Sequence, residues 1–394
     1  MSTLKVGGIR GVSASSDAIT VANDGTCTAN ITNNLSNRNL IINGAMQVAQ
    51  RGASSTVAEG YGSVDRFKSN NANNDEAPTQ SQVDVAAGTT PYSLGFRKAF
   101  RMTNGNQTGG AGTNDRVCII YNVEGQDMAK SGWNYTSASS FITISFWVKS
   151  SVAQNFFVQL RSRDGTEQGF TFETGSLSAD TWTKVTKTVP GNSNLQFDND
   201  NTVGLLIEWN IFRGTDKTGS MSLDTWAAFN GSVRTPDQTS TWYTTNDATF
   251  EITGVQFEVG SHATDFEHRS YGQELDLCKR YYQQYGIDSY GNTTKRLSLP
   301  FINEDPSNVG GYINFRFERE MRAAPTATIG SSLELGQPQV DRSSYVVSSF
   351  NNLHAQGSDY FQFSGGQLGS TGDTNRYIRF GHDATAFAKF SAEL

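Results

Sequence analysis

Few residues in this chain stand where chemistry usually needs them. The histidines are His262, His268, His354 and His382, and none belongs to an HExxH or GxSxG motif. His262 and His268 flank Asp265 and Glu267 in "SHATDFEHRS". Imidazole and carboxylate are metal ligands, but the same residues suit a polar turn leading into a capped helix, and that is the preferred reading. Polysaccharide cleavage needs paired carboxylates facing one another across a groove. The pairs Asp164/Glu167 and Asp198/Asp200 both lie in Gly- or Asn-rich stretches, where acidic residues are ordinary turn formers. "DNDN" at 198–201 offers oxygen ligands of the kind Ca²⁺ takes, yet a single such run reads better as a turn. "GNQTGGAG" at 105–112 lacks the GK[ST] of a phosphate-cradling loop. The expectation is therefore no catalytic residue, no metal and no cofactor: a protein that is not an enzyme.

Recognition is better supplied. Sugar binding draws on aromatic platforms with amide and carboxylate hydrogen bonds. Trp147 lies opposite the Phe146 face of its strand and so on the outer side of a sheet, whereas Trp133, Trp226 and Trp242 fall in turn-like stretches and read as loop-packing residues. "SFNNLHAQGSDYF" gathers Asn351, Asn352, His354, Asp359 and Tyr360 in one long polar loop, the segment best suited to glycan or protein contact. These five are the receptor-binding candidates.

The composition restricts what such residues can be mounted on. The 394 residues suffice for two or more domains. Apolar content is 36%, much of it from 24 Phe, 14 Tyr and 6 Trp, and 39 Gly imply many turns between short strands. The net charge of −7, without a basic stripe along the sequence, argues against nucleic acid as the main partner. No apolar run is long enough to span a membrane, and "MSTLKVGGIRGVSASSDAITVANDG" lacks the apolar centre of a signal peptide. Cys27, Cys118 and Cys278 are far apart and read as free thiols, consistent with assembly in a cytoplasm.

The elements follow from periodicity. "DAITVANDGTCTANIT" alternates around Asn-Asp-Gly, a hairpin signal within a small N-terminal segment, residues 1–38. From 39 to 267, strand-like runs separated by Gly, Asn, Asp and Ser predict an antiparallel sandwich or jelly roll. Ile142, Ile144, Phe146 and Val148 share one face of their strand, as do Leu205, Ile207, Trp209 and Ile211 of another. Ser270 and Gln273 form a capping box that opens a helix within 268–286, with Gly286 as its stop. Leu275, Cys278 and Tyr282 make its apolar stripe. That stripe must be buried, either on an end of the sandwich or against the same helix of neighbouring subunits. A helix between two β domains is well placed for a threefold axis, so these three residues are the trimerisation candidates. Residues 287–394 resume strand alternation, as in "YINFRFERE", and predict a second, smaller β-sandwich. The expected fold class is all-β: two sandwich or jelly-roll domains joined by a short helix and preceded by a hairpin-like anchor, in a trimeric fibre.

Four stretches, "NLIINGAMQVAQRG" with "YGSVDRF", "TWTKVTKTVPG", "TWYTTNDATFEITGVQFEVGSHATDFEHRSYGQELDLCKRYY" and "FEREMRAAPTATIG", resemble bacteriophage tail-fibre proteins of marine and cyanobacterial phages, across roughly residues 39–330. The central part also resembles carbohydrate-binding jelly rolls. The resemblance implies a homotrimeric virion adhesin. Residues 1–38 would join it to a tail protein, an adaptor, nozzle or baseplate component. The central domain would act as a spacer with possible sugar affinity, and 287–394 would form a tip facing a host-surface glycan or outer-membrane component. A capsid-attached fibre or decoration protein is the alternative, and a polysaccharide depolymerase a less favoured one.

Overall fold

A computed structural model describes residues 6–14, 17–21, 27–29, 37–285, 311–329 and 387–394, together with short strands between 298 and 380. For 27–29, 311–315, 329 and the strands Ser298–Asn303, Leu333–Gly336, Val346–Val347, Asn352–Gln356, Tyr360–Ser364 and Arg376–Phe380 the description covers the backbone alone.

The hairpin expected near the start is present. Ile19–Val21 pairs antiparallel with Cys27–Ala29, and Gly8–Ile9 adds a third strand. The central region is a two-sheet antiparallel sandwich. One sheet runs in the order Thr183–Pro190, Phe141–Ser150, Thr249–Val259, Lys98–Thr103, Thr79–Asp84 and Ser54–Ser55. The facing sheet runs Trp226–Ala228, Gln168–Glu173, Phe157–Ser162, Val203–Arg213, Arg116–Glu124, Phe67–Ala72 and Glu59–Gly60. Successive strands switch repeatedly between the sheets, as in jelly-roll winding.

Side chains alternate across each strand, so one half of each points at the opposite sheet. Ile142, Ile144, Phe146 and Val148 are fully buried there, and so are Leu205, Ile207, Trp209 and Ile211 from the other sheet. Phe146 meets Trp209 edge-on with ring centroids 5.7 Å apart, and Phe67 packs on Tyr121 at 4.9 Å. Such pairs add about 1 kcal/mol each beyond their buried area. Trp133 packs from a turn as expected, but Trp226 opens the strand Trp226–Ala228 and Trp242 lies in the helical turn Thr241–Thr244, and all three join the main core; Trp147 is half-buried beside Phe96 and Phe266 on the outside of its sheet.

The helix is shorter than its sequence suggests. It spans Tyr271–Lys279 and is opened by the expected capping box: Ser270 Oγ accepts from Gln273 N at 3.3 Å, and Gln273 Oε1 accepts from Ser270 N at 3.0 Å. Tyr282–Tyr285 is then a strand, paired with Ala388–Ser391, which also pairs with Thr326–Ile329. The partner strand lies about a hundred positions downstream, so no local signal marks the switch. Gly286 lies outside the described residues.

A polar junction fastens these later elements to the sandwich. Glu124, at the end of its strand, accepts from Arg280 Nε and Nη2, both at 2.9 Å, and from the Tyr281 hydroxyl. The Arg66 guanidinium lies 3.4 Å over the Tyr281 ring and pairs with Glu393. Arg322 Nε donates to Ala392 O at 2.7 Å. The last strand thus folds back onto the central sandwich. Beyond it, backbone pairing forms a seven-stranded antiparallel sheet in the order Val346–Val347, Leu333–Gly336, Arg376–Phe380, Ser298–Asn303, Gly311–Arg316, Tyr360–Ser364 and Asn352–Gln356.

Candidate functional site

The inward half of each strand of the seven-stranded central sheet fills the core, so the outward half faces away from it. Two cross-strand rows of outward residues build a floor. In one, Gln159 lies opposite Glu208, Glu208 opposite Ile120, and Ile120 opposite Lys68. In the next, Arg161 lies opposite Leu206, and Leu206 opposite Asn122. The strands give these rows a rigid footing, which positions polar groups more accurately than a loop does.

A loop supplies one wall. Gln159 Nε2 donates to Arg234 O at 2.8 Å, which pins the Phe229–Arg234 segment to the sheet. The Arg161 guanidinium stacks on the Phe229 ring at 3.5 Å, and its Nε donates to Glu167 at 2.9 Å. Arg163 reaches the other oxygen of Glu167 at 2.9 Å. The opposite end is closed by Leu394, whose backbone oxygen accepts from Asn122 Nδ2 and from the Tyr61 hydroxyl, both at 2.8 Å. The groove, open on one side, has a volume of about 330 Å³, within the range of small-ligand sites.

Its charge is the feature that sequence order hides. Among the described residues, Lys68, Arg116, Arg161, Arg163 and Arg234 line the groove against one lining side-chain carboxylate, Glu208. Glu208 is nearly buried and already held by Arg213 at 2.5 Å, with Arg234 further off at 3.9 Å. Arg116 comes no nearer than 3.9 Å to Glu59, and among the described residues Lys68 forms no ion pair, its ammonium lying 5.8 Å over the Tyr61 ring. Burial pushes the Arg234 guanidinium below its usual range; Glu208 opposes this, and repulsion from Arg213 and Arg161 adds to it. Buried Asn122 Oδ1, Arg116 Nε and Arg234 Nε have no hydrogen-bond partner among the described residues. Desolvated polar atoms of this kind cost about 1–3 kcal/mol each unless something pairs with them.

Among the described residues, the groove lining includes none of the trimerisation candidates. Asn352 and His354 belong not to a loop but to the strand Asn352–Gln356, and Tyr360 opens the strand Tyr360–Ser364 paired with it. This corrects the long-loop reading: alternation continues through "NLHAQ", with a register shift between Leu353 and Ala355 that absorbs His354. Asn351 and Asp359 lie outside the described residues. Among the trimerisation candidates, Cys278 is fully buried and Tyr282 only 3% exposed within the single chain, and Leu275 is half-buried. Most of the stripe is therefore covered by its own chain, the first of the two burials considered above.

The carboxylate pairs are taken up structurally. Asp164 Oδ2 accepts from Asp198 N at 2.9 Å, Asp200 caps Thr202, and Glu167 binds two arginines. His268 Nε2 lies 2.9 Å from Leu94 O, with its ring packed on Phe96, and His262 Nδ1 lies 2.9 Å from Ser261 Oγ. Among the described residues no group of three or more His, Cys, Asp or Glu is placed to hold a metal ion.

No protein-family profile matches the sequence. No curated protein matches it either. Several solved structures align with part of the chain. The enzymatically active domain of tailspike protein 4 from bacteriophage CBA120 aligns at 9% identity and TM-score 0.29 over 56% of this chain, and the alignment spans only 21% of that chain. A putative sugar binding protein from Bacteroides thetaiotaomicron aligns at 10% identity and TM-score 0.29, covering 57% of this chain and all of the other. A family 11 carbohydrate-binding module from Clostridium thermocellum, solved with a β-1,3-1,4-mixed-linked tetrasaccharide, aligns at 13% identity and TM-score 0.25, covering 54% of this chain and 99% of the module. At these identities and scores the likenesses assign neither ligand nor role. The sandwich rests on its own strand pairing.

Proposed function

We propose that this chain is a structural adhesin of a phage virion, a tail fibre that attaches the particle to a glycan on the host surface and has no catalytic activity of its own. The observation that carries the reading is the groove. It is a polar, partly apolar-floored recess on a rigid β-sheet, with hydrogen-bonding groups left unpaired. Among the described residues its single lining side-chain carboxylate is already held by arginine, whereas glycoside hydrolysis needs two working carboxyl groups. The virion assignment draws on the sequence resemblance across roughly residues 39–330. In this reading the fibre is a homotrimer, residues 1–38 join it to a tail protein, and weak single-site affinity is multiplied by the copies engaged at once.

The test is competition. Purified chain is added to susceptible cells before phage, and adsorption is measured. Blocked adsorption is the expected result. Full adsorption in the presence of saturating folded protein would overturn the adhesin role, and release of reducing sugar from host polysaccharide would overturn the non-catalytic one. Antibody labelling at particle heads would move the chain to the capsid.

A further inference from the structure

Resting on that glycan-binding reading, we infer that the groove takes an anionic saccharide, a sugar carrying a carboxylate or a sulfate ester. Lys68, Arg116 and Arg234 face the acidic group, Asn70 and Asn122 the hydroxyls, and Ile120 and Leu206 the C–H face of the ring.

The charge balance is the first argument. Counting the side chains of the nearest described neighbours, Lys68, Arg116, Arg161, Arg163, Arg213 and Arg234 stand against Glu59, Glu167 and Glu208. The chain as a whole is −7, so this local excess opposes the global sign. Pairing is the second. Arg161 and Arg163 share Glu167 at close range, and Arg213 holds Glu208. Lys68, Arg116 and Arg234 have no carboxylate nearer than 3.9 Å among the described residues. Three under-paired cations converging on one recess form a site that an anion completes through charge-assisted hydrogen bonds. The third is the buried Asn122, 3% exposed, with Oδ1 unpartnered at the groove floor. Oδ1 is an acceptor and suits a ligand hydroxyl donor, which a bare inorganic anion does not offer. The size limit separates a saccharide from nucleic acid: about 330 Å³ holds a few sugar rings, not a phosphate-backbone track.

Titration calorimetry on the full chain tests this with a trimer of galacturonic acid, its fully methyl-esterified counterpart, and a sulfated galactose oligomer of the same length. The expected result is binding of one or both acidic probes, weakened by salt, with the ester bound at least tenfold more weakly. Lys68→Gln should weaken acidic binding roughly tenfold, the worth of one charge-assisted hydrogen bond. Lys68→Arg should restore most of it, and unchanged thermal unfolding would show both variants folded. Equal binding of ester and acid would overturn the anionic assignment and leave the glycan reading intact. Binding of inorganic sulfate as tight as that of the sulfated sugar would overturn the saccharide assignment. No binding of any probe by protein that still blocks adsorption would remove the groove from recognition while the adhesin role stands.

Discussion

Glu124 is where the account of the fold can be tested most severely. Its carboxylate is fully buried and accepts a two-pronged grip from Arg280, both contacts at 2.9 Å, along with the Tyr281 hydroxyl. Glu124→Gln keeps the volume and removes the charge. The Arg280 guanidinium then loses its anion while remaining only 26% exposed. Breaking a buried ion pair from one side costs about 3–5 kcal/mol; because Arg280 is partly solvated, the lower end applies, about 3 kcal/mol. For a domain of this size that lowers Tm by roughly 6–12 °C. The loss should be local before it is global, so hydrogen exchange should quicken first in Tyr282–Tyr285 and Ala388–Ser391, the strands the junction anchors. The pH dependence has a definite sign. Burial alone would raise the Glu124 carboxyl, but the Arg280 and Tyr281 hydrogen bonds outweigh it and hold the group below its ordinary value. Its contribution is therefore present above the unfolded carboxyl range and is lost as pH falls through the lowered folded value. Wild type should lose stability in that acid window and Glu124→Gln should lack this component. A Tm within a degree of wild type, with unchanged exchange, would refute the claim that this pair locks the later strands to the sandwich.

Other consequences concern buried groups. Asp65 is fully buried, and burial pushes its carboxyl up to about 6 against the pull of Arg51 and Gln50. A raised carboxyl costs stability once ionised, so its effect runs opposite to that of Glu124: the stability present below its unfolded value of 3.8 is lost as pH rises through about 6, by about 3 kcal/mol at full ionisation. The Tm of Asp65→Asn relative to wild type should therefore climb between about pH 4 and about pH 6 and level off above that, and a pH-independent difference would contradict this. Cys118 and Cys278 are fully buried, and desolvation pushes the Cys118 thiol up to about 12. A thiol reagent should leave both unmodified in folded protein and label them on denaturation; rapid native labelling would mean the core opens readily. Gly254 sits at φ +61° with the Phe96 ring 2.6 Å from where a Cβ would stand. Gly254→Ala should destabilise by roughly 1–3 kcal/mol from left-handed backbone and overpacking together, and an unchanged denaturation midpoint would show that the ring can move aside.

How much of this was legible depended on distance along the chain. Period-two alternation exposed the sandwich because each strand writes its own burial pattern: Ile142 to Val148 and Leu205 to Ile211 needed no partner to be read as core. The capping box at Ser270 and Gln273 was legible because it lies within one helical turn. The end of that helix was not, since Tyr282 is drawn into a strand by Ala388–Ser391, far downstream. The groove was missed for the same reason. Lys68, Arg116, the Arg161/Arg163 pair and Arg234 are far apart in sequence, and only antiparallel register together with the loop held by Gln159 gathers them. A signal did exist. The positions between the core residues, Gln159 and Arg161, Glu208, Asn122 and Lys68, are polar enough to mark a face turned away from the core, and tabulating that face would have shown the excess of cations.

The central claim, that this chain holds a virion to a host glycan, is tested most directly on the cells themselves. Fluorescently labelled purified protein is applied to susceptible cells before and after mild periodate oxidation of their surface sugars. The account predicts saturable binding that is largely abolished by oxidation and unaffected by protease treatment of the surface. Binding that survives periodate and disappears with protease would contradict it and make the receptor a protein.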